Sequence, residues 1–280
     1  MHFLFWNTNR KAAFAQHLPR LVSQPETLIG LAECTFPPSY IENLLRHRSG
    51  ATDRYRSVFQ GKKGMAEHLH LYAPFSERFV RVLKETHRYA LLSIETPVWE
   101  SFVLGLVHLQ GKLWYDERDQ REFARQFMGN LRQVENEVGH DRSVVMGDFN
   151  LLPFEEAMTD IGHFNCTFYR DALRRADGRR KFGEEDHALF YNPMLRLAGR
   201  NPPATYHHSQ AKAVQHYWHQ FDQVIVRASL ADRFVDDDLK IIDHDGECSL
   251  LTEDGVPDET VSDHLPFEFR MHFQPREVTP

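Results

Sequence analysis

The chain has 280 residues, 41% of them apolar and 12% aromatic, enough to bury a substantial core in one enzyme-sized α/β domain. A formal charge of −7 argues against holding long nucleic acid chiefly through a basic surface, although a local groove can be basic and a bound cation adds charge that the count omits. The scattered Cys34, Cys166 and Cys248 suggest neither a disulfide framework nor a zinc knuckle, and no apolar run approaches the roughly 20 residues of a membrane span, so a soluble, cytoplasmic protein is expected.

Apolar runs of strand length recur from the start of the chain: Phe3 to Trp6, Thr27 to Ala32, His68 to Tyr72, Tyr89 to Ile94 and Phe102 to His108. Several are nearly continuous in Val, Ile and Leu, as in strands covered on both faces. The first two run into polar residues, Asn7 and Glu33. From Asp116 to Val138, apolar residues at Phe123, Phe127, Leu131 and Val134 mark one face of an amphipathic helix, and helix between strands is the α/β pattern.

Next, Ser143 to Met146 enters Gly147-Asp148-Phe149-Asn150. If the backbone stays extended, Asp148 and Asn150 point to one face and can converge on a phosphate or metal; a turn in which both satisfy local backbone is the alternative. The charged, then Pro-containing stretch from Arg174 to His216 reads as a long insertion and a candidate substrate-contacting segment. Its basic cluster, Arg174, Arg175, Arg179, Arg180 and Lys181, is diluted by nearby acids and reads as a solvated face. Thr205 to His208 reads as loop surface.

Phe221 to Val226 carries Asp222 inside an apolar strand, where an unpaired carboxylate would be costly; His264 would suit it as partner. Asp236, Asp237 and Asp238 read as a solubilising turn. Ser262-Asp263-His264 precedes a last strand, Phe267 to Met271, and residues 274–280 form a tail after a single domain spanning 1–273. Most of the seventeen histidines, including His68 with His70, fit sheet and loop surfaces better than zinc sites.

Taken in order, Phe5-Trp6-Asn7, Leu31-Ala32-Glu33, Val107-His108, Gly147-Asp148-Phe149-Asn150, Phe221-Asp222-Gln223-Val224 and Ser262-Asp263-His264 resemble the endonuclease/exonuclease/phosphatase superfamily over residues 3–273. The resemblance implies a four-layered α/β sandwich of two mixed sheets flanked by helices. It also implies Mg²⁺ (or Mn²⁺) held by Glu33, with Asn7 nearby and Asp263 available to the metal site. Asp148 would orient or deprotonate the attacking water, Asn150 would hold a phosphoryl oxygen, and His108 would donate a hydrogen bond to the phosphate. His264, paired with Asp222, would stabilise transition-state charge or manage a proton.

The implied function is metal-dependent hydrolysis of a phosphate ester, with a nuclease acting on DNA or RNA ahead of a phosphomonoesterase, a lipid phosphodiesterase, or a non-catalytic or partner-activated module. Two departures stand out. The carboxylate that pairs with the first histidine in deoxyribonuclease-like members has three candidates here, Glu67, Glu77 and Glu95, and only Tyr115 offers itself for the tyrosine of the abasic-site branch.

Overall fold

The structure is a computed structural model and describes residues 1–48, 55–59, 69–111, 115–209 and 216–276. Two mixed sheets dominate it. In chain order the strands are β1 (His2–Asn7), β2 (Thr27–Ala32), β3 (Arg56–Ser57), β4 (Leu69–Ala73), β5 (Val80–Glu85), β6 (Tyr89–Ile94), β7 (Phe102–His108), β8 (Ser143–Asp148) and β9 (Cys166–Thr167). They continue with β10 (Arg179–Phe182), β11 (Glu185–Ala188), β12 (Phe190–Tyr191), β13 (Tyr206–His207), β14 (Trp218–His219), β15 (Asp222–Arg227), β16 (Phe234–Ile241) and β17 (Phe267–Met271). The helices are α1 (Phe14–Leu21), α2 (Pro38–Arg48), α3 (Glu117–Val138), α4 (Glu156–Thr159) and α5 (Arg170–Arg175).

One sheet has the order β16-β17-β1-β2-β4-β3 and the other β5-β6-β7-β8-β15-β12-β9, with β1–β2, β7–β8 and β12–β9 parallel and the remaining pairs antiparallel. The layering follows from the two-residue alternation of strand side chains. In β1, Phe3 and Phe5 face the opposite sheet, while Leu4 and Trp6 face α1 and α2, where Phe14, Leu18, Ile41 and Leu45 cover them. In β8, Val144 and Met146 face inward and Val145 faces Phe127 and Leu131 of α3. Both faces of the central strands β2, β6, β7, β8 and β15 are thus buried, which is why they read as nearly continuous apolar runs, and the result is the expected four-layered sandwich.

Helix α3 begins at Asp116, whose carboxylate accepts from the Asp119 amide (2.9 Å) while Asp119 returns the bond, a capping box. It stops at Gly139, whose φ of 76° ends the helix in a conformation that a Cβ disfavours.

Three expectations need correction. The described part of the stretch from Arg174 to His216 is not loop throughout: after the β10–β11 hairpin the chain re-enters the sheet at β12, and Leu189, Tyr191, Met194 and Leu197 join the core between the sheets. The charges at its start divide between the end of α5 (Arg174, Arg175) and the exposed hairpin, and they mask the apolar residues that lie beyond. Asp236, Asp237 and Asp238 lie in the edge strand β16, not in a turn; Asp236 accepts from Arg170 (2.7 Å) and Tyr191 (3.0 Å), and Asp238 pairs with Arg270. Strand β5 and helices α1 and α2 have no counterpart among the expected elements, because an edge strand or a short helix buries one side only and its apolar run is broken by charge. His68 lies outside the described residues; His70 is buried and bonded to the Tyr72 hydroxyl (2.9 Å). All three cysteines are free, and no helix among the described residues is long and apolar enough to cross a membrane.

Candidate active site

Strand direction gathers the polar residues at one end of both sheets. Asn7 closes β1, Glu33 follows β2, His108 closes β7 and Asp148 closes β8, while the antiparallel β15 and β17 start at that same end, with Asp222 opening β15 and Asp263 and His264 just before β17. His108 and Asp222 are both register partners of Asp148, one on each side of it.

Three contacts then close the mouth between the sheets. The Asn7 amide donates to Asp148 Oδ2 at 3.0 Å, His264 Nδ1 lies 2.7 Å from Asp222 Oδ2, and His108 Nε2 lies 3.5 Å from Glu33 Oε1. His108 Nε2 also lies 3.9 Å from Asp148 Oδ2, and His264 Nε2 3.9 Å from Asp263 Oδ1. Asn150, at φ 51°, donates its amide N–H to Asp148 Oδ1 (2.8 Å) and its side-chain NH₂ to the Leu109 carbonyl (3.0 Å). The eight candidate residues thus form two contacting sets, Asn7, Glu33, His108, Asp148 and Asn150 in one and Asp222, Asp263 and His264 in the other, which meet where donor atoms of Asp148, Asp222 and His264 lie within 4.8 Å of one another. Asn7, Asp148, Asp222 and His264 form the buried floor, and the side chains of Glu33, His108 and Asp263, between 16% and 27% exposed, rim the opening.

The turn that presents Asp148 depends on Gly147. Its φ is 146°, and a Cβ there would stand 2.0 Å from the Val107 carbonyl oxygen, so no other residue lets β8 lie this close to β7. Glu33 also adopts a left-handed backbone (φ 51°), held by the bond from the Arg10 amide to its carbonyl (3.1 Å).

Burial sorts the protons. Burial first, then the neighbouring charge of Asp222, pushes the Asp148 carboxyl up to about 7. For His264, burial opposes protonation, but Asp222, together with Asp148 and Asp263, outweighs it and raises the imidazole to about 10. Burial drives His108 down to about 4 against the pull of Glu33, with Arg88 adding to the drop. At neutral pH one histidine is a cation and the other is neutral.

Neither Glu77 nor Glu95 is the partner of His108. Both lie where β5 and β6 meet at Val80 and Ile94, the end of the sheet opposite His108, and Glu95 bonds Ser93; Glu67 lies outside the described residues. Among the described residues the carboxylates near His108 Nε2 are Glu33 of the other sheet at 3.5 Å and Asp148 at 3.9 Å. Tyr115 packs edge-on against Phe123 of α3. Thr205 to His208 is more than loop surface: Thr205 is buried and accepts from the Asp222 amide (3.3 Å), and the Tyr206 ring lies 4.7 Å from that of His264.

Two further residues brace the site. The Gln120 side chain donates to the carbonyls of Gln110 (3.2 Å) and Asn150 (3.1 Å), tying the segment after His108 to the one after Asp148. Gln223 donates to the Leu151 carbonyl (2.6 Å) and accepts from Asn192 (2.8 Å). A buried amide on the apolar face of α3 is the sequence signal that points to Gln120.

The donor set fits a hard divalent cation. Glu33, Asp148, Asp222 and Asp263 bring four carboxylates together against one imidazolium, and Asp222 Oδ1 and Asp263 Oδ1 are buried without a hydrogen-bond partner. Donor atoms of Asp148, Asp222 and His264 lie within 4.8 Å of one another. To hold a cation, that trio would have to break the 2.7 Å Asp222–His264 bond and deprotonate the imidazole.

No protein-family model matches the sequence, and no curated protein matches it. Solved structures do. The chain is similar to a 3′–5′ exonuclease from Neisseria meningitidis (13% identity, TM-score 0.57, covering 98% of this chain and 100% of that one). It is also similar to an AP endonuclease from Archaeoglobus fulgidus (14%, 0.55, 97% and 99%) and to a mannosyl-6-phosphatase from Bacteroides thetaiotaomicron (11%, 0.53, 98% and 100%). Such identities carry architecture alone, and the architecture is plain: this chain has the deoxyribonuclease I-like fold of the endonuclease/exonuclease/phosphatase proteins.

Proposed function

We propose that this protein hydrolyses phosphate esters with a divalent cation, and that its substrates are phosphodiester bonds of DNA or RNA. The observation that carries the reading is the convergence of Asn7, Glu33, His108, Asp148, Asn150, Asp222, Asp263 and His264 on one mouth, with Asp148 poised near neutrality and His264 held protonated. An exonuclease, an AP endonuclease and a sugar phosphatase share the fold, and nucleic acid is taken as the first of these substrate classes to test.

Glu33 and Asp263 would hold Mg²⁺ or Mn²⁺, with the second lone pair of the Asn7 carbonyl nearby; when bound, the cation supplies positive charge to the phosphoryl oxygens. The chain's own groups do the rest. Asp148, ionised and steadied by the Asn7 amide, accepts a proton from the water whose oxygen bonds to phosphorus as the ester P–O bond breaks. His264, with Nδ1 committed to Asp222, turns its Nε2–H towards the oxygens on which negative charge grows. Neutral His108 and the second N–H of the Asn150 side-chain amide would hold the phosphate against the floor.

The test is Mg²⁺-dependent hydrolysis of duplex DNA, single-stranded DNA, RNA, inositol phosphates, a sugar phosphate and sphingomyelin by the native protein, Asp148→Ala and His264→Ala. Cleavage of a nucleic acid that disappears with EDTA and in both variants supports the reading. Activity that persists in both variants sinks the site assignment, and turnover of the sugar phosphate alone replaces the nuclease by a phosphomonoesterase.

A further inference from the structure

Phe154 follows Asn150 by four residues and is 63% exposed. Its place is fixed all the same. The Leu152 amide donates to Glu155 Oε1 (3.1 Å) and the Glu155 amide to the Leu152 carbonyl (3.0 Å), which closes a turn with Phe154 in its middle. The Phe154 ring lies 4.8 Å from that of the half-buried Phe168, at 48° to it.

Both rings hang on Gln223, the neighbour of Asp222. Gln223 Nε2 donates to the carbonyl of Leu151 (2.6 Å), three residues before Phe154, and its Oε1 accepts from Asn192 (2.8 Å), whose backbone amide donates to the carbonyl of Thr167 (2.9 Å), next to Phe168. The register of β9 on β12, and of β12 on β15, puts Thr167 on the Asp222 side of Cys166, so Phe168 leaves the sheet at the end where the candidate site opens. With the strand order β8-β15-β12-β9, the ring pair flanks Asp148 at roughly 14 Å, three strand spacings away.

A single exposed apolar side chain is ordinary. Here, however, a ring is held out of the core by a braced turn and a second ring, so its free face is offered to a ligand with little further ordering cost. Unpaired bases stack on such faces, whereas in a duplex each base face is covered by its neighbours. Continuity with the phosphoester site selects the occupant: a strand whose phosphate lies at His108 and Asn150 reaches the ring pair within a few nucleotides.

We propose that Phe154, backed by Phe168, is a stacking platform for an unpaired base of the substrate strand, a few nucleotides from the phosphate that is attacked. The inference rests on the nuclease reading above and narrows it to single-stranded segments. Phe154 then contributes affinity through a base and none through the backbone.

The experiment is fluorescence anisotropy of labelled oligothymidylate and of a base-free sugar-phosphate oligomer of equal length, with Mg²⁺ present. The proteins are Asp148→Asn, which leaves the strand whole, and the same protein carrying Phe154→Ala or Phe154→Trp, with thermal midpoints and sedimentation recorded for each. Expected is an oligothymidylate Kd about tenfold weaker with Phe154→Ala and retained with Phe154→Trp, a base-free oligomer bound equally by all three, and unchanged midpoints. Oligothymidylate binding that Phe154→Ala leaves untouched overturns the inference and leaves the nuclease reading standing, and so does an equal loss on both oligomers. A dimer that Phe154→Ala dissociates also overturns it, by making the ring pair a contact between copies of the chain. Protein that binds neither oligomer overturns both readings. If Phe154→Ala does not fold, Phe154→Leu, which keeps bulk without the ring face, decides by the same outcomes.

Discussion

Strand β15 carries a buried charge at each end, and the two ends are treated differently. At its last residue, Arg227 bonds Glu135 through Nε and Nη2 (2.8 Å each), gives Nη1 to the Ala188 carbonyl (3.0 Å) and lies 4.2 Å over the Phe190 ring; Glu135 also accepts from Ser143 (2.7 Å). Every nitrogen of the guanidinium is used. At the first residue, Asp222 has one oxygen on His264 and one on nothing, with the like-charged Asp148 directly opposite in the ladder. A buried charge whose only task is structural is satisfied from within the chain. At the other end the chain leaves lone pairs open and sets carboxylates side by side, which makes sense if a cation and a phosphate complete the set.

The contrast breaks most visibly at Asp148. Asp148→Asn is expected to lower hydrolysis by up to about 10⁴-fold, the upper range for loss of a general base, while the thermal midpoint holds or rises because a like charge has gone. A midpoint that falls steeply instead would mean that the catalytic end is structural too.

The opposite pattern belongs to the far end. Glu135→Leu should cost about 3–5 kcal/mol in denaturant unfolding, because Arg227 is left buried and uncompensated, with turnover per folded molecule retained. The double variant Glu135→Leu/Arg227→Met should recover most of that loss, and failure to recover would locate the cost in packing and not in charge.

Mg²⁺ sharpens the comparison. At a hundredfold excess over its Kd it should stabilise the protein by about 2.7 kcal/mol, seen as a rise in midpoint that Glu33→Gln abolishes and Glu135→Leu leaves intact.

The gentlest effect is graded with pH. The Asp148 carboxyl, raised in the fold to about 7, favours the folded state while protonated, so its contribution declines from about pH 4, its unfolded value, to pH 7. The His264 imidazole, raised to about 10, contributes stability that is complete below about pH 6.5 and is lost as pH rises through 10. Cation-free protein should therefore lose stability in two stages, each with a slope of at most about 1.4 kcal/mol per pH unit, and Asp148→Asn should remove the first stage and shorten the second, because the Asp148 charge helps to raise His264.

How much of the fold and the site is legible in the sequence depends on the range of the signal. Thr27–Ala32, Tyr89–Ile94 and Phe102–His108 have the bounds expected of them, because a strand covered on both faces announces itself in consecutive residues. Edge strands β5 and β16 do not, since half of each faces water, and the acids of β16 read as a turn when they serve as partners for Arg170 and Arg270 from other elements. Gln223 stands out only once the carbonyl that its amide reaches is known, and Gln120 only through its place on the apolar face of α3.

The sequence by itself determined the strand-ending polar residues, the α/β alternation and the Asp222–His264 partnership, all of which follow from local pattern and from the cost of an unpaired buried carboxylate. Only the tertiary structure decided that Glu33 meets His108, that Asn7 steadies Asp148 and that Glu135 neutralises Arg227 across 92 residues of chain. Local conformation is written in spacing along the chain, whereas charge pairing depends on which strand ends the sheets bring together, and that is set by the packing of the whole core.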